Sequence, residues 1–254
     1  MAVKAETVPL AVADDLQIAD LRAALVAGWR DFAAYPAFGL FFASFYVVTG
    51  LLLYFLLFAR GEFTWLIAAV AGFPLLAPFV AAGLYEVSRR REAGLAMHWR
   101  SILGALRGHG DEQILSMGVI VFVAFGFWLM VAHGIFAIFL ADAGPGRGGL
   151  AVFTSGPGLM MLLVGGGVGA LMALGFYAIS VISLPLLIDR EVDFISAIIV
   201  SLAAVRSNSF VLLVWAVIIA VSLFIAMVPA FLGLLVVLPV LGHATWHLYR
   251  RCAG

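Results

Sequence analysis

The sequence predicts an all-α, polytopic membrane protein: six transmembrane helices in three hairpins, each hairpin preceded by an amphipathic helix on the cytoplasmic surface. Three observations predict it. Apolar residues make up 65% of the chain and charged residues only 11%, with a mean hydropathy of +1.17. A soluble domain carries roughly a quarter charged residues, so there is too little polar surface here to cover a soluble globule. The apolar runs continue for about 20 residues, the length of a membrane-crossing helix, and do not alternate over about 10 residues as barrel strands do. Finally, a surface helix followed by two spans recurs three times in one transmembrane domain, over residues 18–85, 95–188 and 194–249.

The same composition excludes other classes. The single cysteine, Cys252, can form no internal disulfide and belongs to no thiolate cluster for zinc or iron–sulfur. No basic stripe is present to track nucleic acid.

Residues 1–17 are mixed and weakly polar, which predicts a flexible N-terminus. They do not read as a secretory signal, because the first long apolar run begins only near Ala37 and is too long for a signal core. Asp14 or Asp15 is placed to cap a helix on which Ile18, Leu21, Leu25, Trp29 and Phe32 share a face. Pro36 ends it. The first span covers about 37–59 and the second about 63–85, with Arg60-Gly61-Glu62 as a tight turn between them. Pro74 and Pro78 predict a kinked second span, buried among neighbours that satisfy the freed carbonyls.

Gly94 breaks the chain after Ser88-Arg89-Arg90-Arg91, and Leu95, Trp99, Ile102, Leu103 and Leu106 then recur at helical spacing. The third span is read at 114–140 and the fourth at 158–188, joined by a glycine- and proline-rich loop. Within the fourth, Gly165 and Gly169 stand at the GxxxG spacing that lets a second helix approach closely. Four charges between Asp189 and Asp193 mark the exit from the membrane. Phe194, Ile195, Ile198, Ile199, Leu202 and Val205 then form the third surface helix, and 210–249 is long enough for two more spans turning near Pro229 and Gly233.

Orientation follows from the basic residues. With six spans, Lys4, Arg22, Arg30, Arg89, Arg90, Arg91, Arg100, Arg107, Arg190, Arg206, Arg250 and Arg251 fall on one side, and only Arg60 and Arg147 on the other. Both termini are therefore expected in the cytoplasm, with the protein in a cell inner membrane.

Few residues offer chemistry. Glu86 and Asp189 occupy equivalent places at the cytoplasmic ends of the second and fourth spans. Carboxylates at that depth suit a cation or proton site, and suit also ion pairs, of Glu86 with Arg89 or Arg90 and of Asp189 with Arg190, Arg206 or an arginine of a neighbouring helix; pairing is the expectation. His243 and His247 share one helical face at a spacing metals use. No third ligand is visible, so both are read as interface anchors with Trp246 and Tyr249, as are Trp29 and Trp99. His133 and His243 differ in expected depth by roughly 20 Å, too far apart to ligate one haem iron. No nucleophile with an adjacent base and no phosphate loop stands out, so neither an enzyme nor a resident cofactor or metal is expected.

Three segments carry a resemblance: Gly83-Leu84-Tyr85-Glu86 with Ser88-Arg89-Arg90, Ser183-Leu184-Pro185 with Asp189-Arg190, and the closing Pro239 to Arg250. They resemble the signature blocks of an uncharacterised bacterial family of six-span integral membrane proteins, some of whose members carry the label of cytochrome c oxidase subunit. The resemblance implies an accessory or assembly role beside a respiratory oxidase; the chain has only five histidines and too few spans to be the haem–copper subunit itself. The expected function is thus a non-catalytic inner-membrane protein that docks lipids or membrane proteins. The alternative, a small transporter or channel for a lipid, metal ion or amphiphile, requires a continuous polar path through the bundle.

Overall fold

The structure, a computed structural model, describes residues 11–60, 77–105, 113–140 and 153–254. Every regular element among them is helical: α1 Ile18–Ala34, α2 Pro36–Arg60, α3 Ala77–Glu92, α4 Trp99–Gly104, α5 Gln113–Leu140, α6 Gly156–Ser180, α7 Ser183–Asp189, α8 Phe194–Ser207, α9 Ser209–Met227 and α10 Leu234–Ala253. The turn at 61–62, Pro74, Arg107, most of the loop after 140 and Arg147 lie outside the described residues.

The helix boundaries have local causes. Gln17, not Asp14 or Asp15, is the N-cap of α1, and the Asp20 carboxylate accepts from its N–H at 2.8 Å. Asp15 instead pairs with Arg251 at 3.0 Å. Pro36 ends α1 by opening α2 at once, since its missing N–H is tolerated in a first turn. The second predicted span overshoots residue 85: α3 runs to Glu92, where Gly94 at φ +65° lets Leu95 N–H bond back to Arg90 O at 2.8 Å. The helix after it starts later than the apolar spacing from Leu95 predicts: His98, in extended backbone, is its N-cap residue and Trp99 its first residue.

The predicted fourth span is broken in two. Ser201 of α8 inserts its hydroxyl between Ile182 N–H, from which it accepts at 3.2 Å, and Ala178 O, to which it donates at 2.7 Å. That donor and acceptor would otherwise bond to each other across one helical turn. Pro185 withholds a second N–H one turn on, so α6 and α7 meet at a break instead of a continuous ladder.

The last helix is the axis of the bundle. α1 packs antiparallel along the second half of α10: Ala13 N–H bonds Cys252 O at 2.8 Å, and Gly28 lies against Val240 and Ala244. α2 continues along its first half, with Gly39 beside Pro239 and Gly50 beside Phe231. α3 runs parallel to α10, placing Leu84 on Gly242 and Glu92 beside Trp246 and Arg250. α1 is therefore not a helix lying apart on a membrane surface; one of its faces is packed away against α10.

Four helical stretches among the described residues are long and apolar enough to cross a membrane: Pro36–Leu56, Ser116–Leu140, Gly156–Asp189 and Ser209–Met227. α10 is not one of them, because its second half is polar and its buried positions continue to Ala253. α5 and α6 pack on each other and otherwise present large apolar side chains outward, among them Phe122, Phe127, Leu163 and Leu171. That distribution is stable in lipid and unstable in water.

Candidate functional site

α1 buries a stripe of Leu21, Ala24, Gly28, Asp31 and Phe32, in which one carboxylate sits among apolar and small residues. Asp31 is only 3% exposed. An unpaired charge there would be prohibitive, and three donors from two other helices offset the desolvation. Ser88 Oγ–H of α3 donates to Asp31 Oδ2 at 2.5 Å, His247 Nε2 of α10 bonds the same oxygen at 2.8 Å, and the Arg91 guanidinium of α3 pairs with Oδ1. Burial raises the Asp31 pKa, but the bonds from His247, Ser88 and Arg91 outweigh it and hold the carboxyl below its ordinary value.

Ser88 has one proton, and Asp31 takes it. His243 Nδ1, 2.8 Å from Ser88 Oγ, must then carry the hydrogen of that contact. The bonding pattern so assigns the Nδ1–H tautomer of His243, whose Nε2 is buried with no hydrogen-bond partner among the described residues. Three chemically capable side chains are thereby assembled in an order unlike that of a serine hydrolase. A serine hydrolase places imidazole between hydroxyl and carboxylate, so the base can take the hydroxyl proton. Here the hydroxyl stands between the other two and is 1% exposed.

A second cluster lies on the other side of α3. Glu86 accepts Arg89 Nε at 2.7 Å and Nη2 at 2.9 Å, and Arg90 Nη1 at 3.2 Å. Asp189, at the end of α7, accepts the Tyr249 hydroxyl at 2.7 Å and Arg250 Nη1 at 3.2 Å, with Arg190 Nε at 3.7 Å. Arg250 also reaches Glu92 at 3.1 Å, and the Trp246 indole N–H donates to that same carboxylate at 3.1 Å. One arginine of α10 so ties α7 to α3.

The structure places Glu86 with Arg89 and Arg90, and Asp189 with Arg190, but leaves Arg206 exposed and apart from them. His243 and His247 meet through Asp31 and Ser88; among the described residues no three His, Cys, Asp or Glu side chains converge to hold a metal ion. Trp246, Tyr249 and His243 were expected to face outward at a membrane interface, yet their side chains are enclosed by the bundle. Trp29 and Trp99 are exposed, the latter tilted against Phe38 at a centroid distance of 4.3 Å and edge-on to Phe41 at 5.1 Å. A Cβ on Gly169 would stand 2.8 Å from the Trp128 ring of α5, and one on Gly165 3.8 Å from Ile135.

Residues 66–189 match a family model described as a predicted integral membrane protein (DUF2189). The chain is an integral membrane protein. The matched segment holds Glu86, Ser88, Arg91 and Asp189, whereas Asp31, His243 and His247 lie outside it. No curated protein and no solved structure matches the chain.

Asp31, Ser88 and Glu92 do not stand out as site residues in the sequence. A signal for Asp31 was there: it falls three residues after Gly28 and ten after Leu21, on the stripe that helical spacing makes apolar. Ser88 had none, because an arginine run follows it and makes its surroundings read as solvated.

Proposed function

We propose that this membrane protein is a non-catalytic docking component with six spans and both termini in the cytoplasm of a bacterial cell. The observation that carries the non-catalytic half is the order Asp31–Ser88–His243, which commits the hydroxyl proton to a carboxylate already engaged by Arg91 and His247 and denies the serine an imidazole base. The two buried carboxylates among the described residues, Asp31 and Glu86, are both met by internal donors. The Asp31 cluster, with partners from two other helices, suits fastening α1, α3 and α10 together better than turning over a substrate. The outward apolar faces of α5, α6 and α9 leave lipid tails or the spans of other membrane proteins as neighbours. An association with a respiratory oxidase draws no support from the geometry or from the family's description.

The basic residues support the orientation, since Arg89, Arg90, Arg91, Arg190, Arg206, Arg250 and Arg251 all fall on one side of a six-span path. Reporter fusions after Arg91, Arg206 and Gly254 should read cytoplasmic, and one within 144–149 periplasmic. A periplasmic reading at Gly254 would overturn the six-span topology. Purification in native lipid, with mass spectrometry of co-purifying proteins, then tests docking; a protein that returns alone at endogenous expression would remove the docking role.

A further inference from the structure

The arginines whose side chains the structure describes fall into two sets. Arg89, Arg90, Arg91, Arg190, Arg250 and Arg251 each pair with a carboxylate of the protein. Arg22, Arg30, Arg100 and Arg206 are exposed and have no ion-pair partner among the described residues. The unpaired set is confined to α1, α4 and α8, the three helices that precede hairpins in the sequence pattern.

Each unpaired arginine has large exposed apolar side chains beside it or about one turn away. Val26 lies four residues from both Arg22 and Arg30, and Trp29 is adjacent to Arg30. Arg100 is flanked by Trp99 and Leu103, and Arg206 follows Leu202 by four residues. A helix facing bulk water exposes charge and hides such side chains. One facing a headgroup layer exposes both, with aliphatic and indole groups toward the acyl boundary and guanidinium groups at the phosphates. α1 also connects the other two helices. Its entry is held to the end of α8 by Leu16 N–H bonding Asn208 Oδ1 at 3.1 Å, and its exit leads directly to Phe38, which packs against the Trp99 ring.

We infer that Arg22, Arg30, Arg100 and Arg206 form a headgroup-binding surface selective for acidic phospholipids. The occupant is an acidic lipid leaflet because the surface is cationic and apolar together, on a chain already embedded in lipid. The arginine run Arg89-Arg90-Arg91, the more conspicuous motif in the sequence, is excluded because internal carboxylates engage all three guanidinium groups. The surface rests on the membrane-docking reading but not on its topology: fusions report the side, lipid retention reports the surface, and either can fail alone.

The test uses the full chain in nanodiscs of equimolar phosphatidylglycerol and phosphatidylcholine, with retained lipids counted by native mass spectrometry after transfer to detergent. The parent should retain phosphatidylglycerol in excess of the mixture supplied. Replacing all four arginines by glutamine should cut that excess by about fivefold or more, since a single basic residue near an acidic surface contributes on the order of fivefold. The matching all-lysine variant should keep most of the excess and controls for folding, as does high salt applied to the parent, which should weaken the selectivity. Absence of enrichment in the parent, or equal enrichment in the parent and the glutamine variant, overturns the inference. Loss of the excess on adding free glycerol phosphate would mark a site for a soluble phosphate and overturn it as well.

Discussion

Gly28 brings α1 into backbone contact with Ala244: a Cβ at residue 28 would stand 2.6 Å from Ala244 N and 2.6 Å from Val240 O. Nothing at the far end of a flexible side chain is there to yield. Gly28→Ala should therefore separate α1 from α10 and lower the thermal midpoint in detergent, with overpacking costs of about 1–3 kcal/mol. Gly126→Ala is the control, since nothing lies within 4 Å of that Cβ and helix propensity alone favours the change. Equal midpoints for the two variants would mean that α1 does not pack as described.

The approach at Gly28 also positions Asp31 one turn later, and the pH dependence of that carboxylate has a definite sign. A carboxyl held below its ordinary value favours the fold above the pH where the unfolded chain titrates, near 3.8. It gives that contribution up as pH falls through its lower folded value. At neutral pH Asp31→Asn should be less stable than the parent by about 3–5 kcal/mol, the scale for breaking one member of a buried pair. The gap should narrow only below about pH 4. Denaturation in detergent across pH 3 to 8 checks this; a gap that widens on acidification would contradict the assignment.

How much of this was legible in the sequence depends on whether a feature is periodic or relational. Apolar runs and glycine breaks are periodic, so the extents of α2, α5 and α9 and the stop at Gly94 could be read from residue order. Glu86 with Arg89 and Arg90 was legible too, because partners three and four residues apart share a helix face. Asp31 with Ser88 and His247 was not: these residues come from three helices, and only the packing of α1 and α3 on α10 brings them together. The order of Gly242 to Arg251 reads as an aromatic belt before cytoplasmic charge. Side chains such as Trp246 are nonetheless internal, because α1 and α3 cover the face that would have met lipid.

The break between α6 and α7 should behave as one device made of two parts. Ser201→Ala removes the inserted hydroxyl and leaves Ile182 N–H and Ala178 O without it, while Pro185 still keeps the next turn from closing. An unsatisfied buried group costs about 1–3 kcal/mol, so the single variant should lose stability on that scale. Adding Pro185→Ala restores the missing donor and allows the ladder to close. The double variant should therefore lose less than the sum of the single variants in a double-mutant cycle. Strict additivity would show that the hydroxyl and the proline act independently.

Glu86 separates the docking and transport readings. Its carboxylate is buried and accepts three guanidinium hydrogen bonds from Arg89 and Arg90, a structural arrangement that leaves the group strongly engaged. Glu86→Gln keeps the shape and an acceptor oxygen but removes the charge, leaving two arginines facing a neutral amide. The expected result is reduced folded yield and a thermal midpoint lowered by several degrees, with no proton- or cation-driven flux in proteoliposomes from either parent or variant. Glu86→Asp, which retains the charge on a shorter stem, should recover part of the yield. A variant as stable as the parent that abolishes a flux the parent supports would instead make Glu86 part of a conduction path, and the transporter would replace the docking protein.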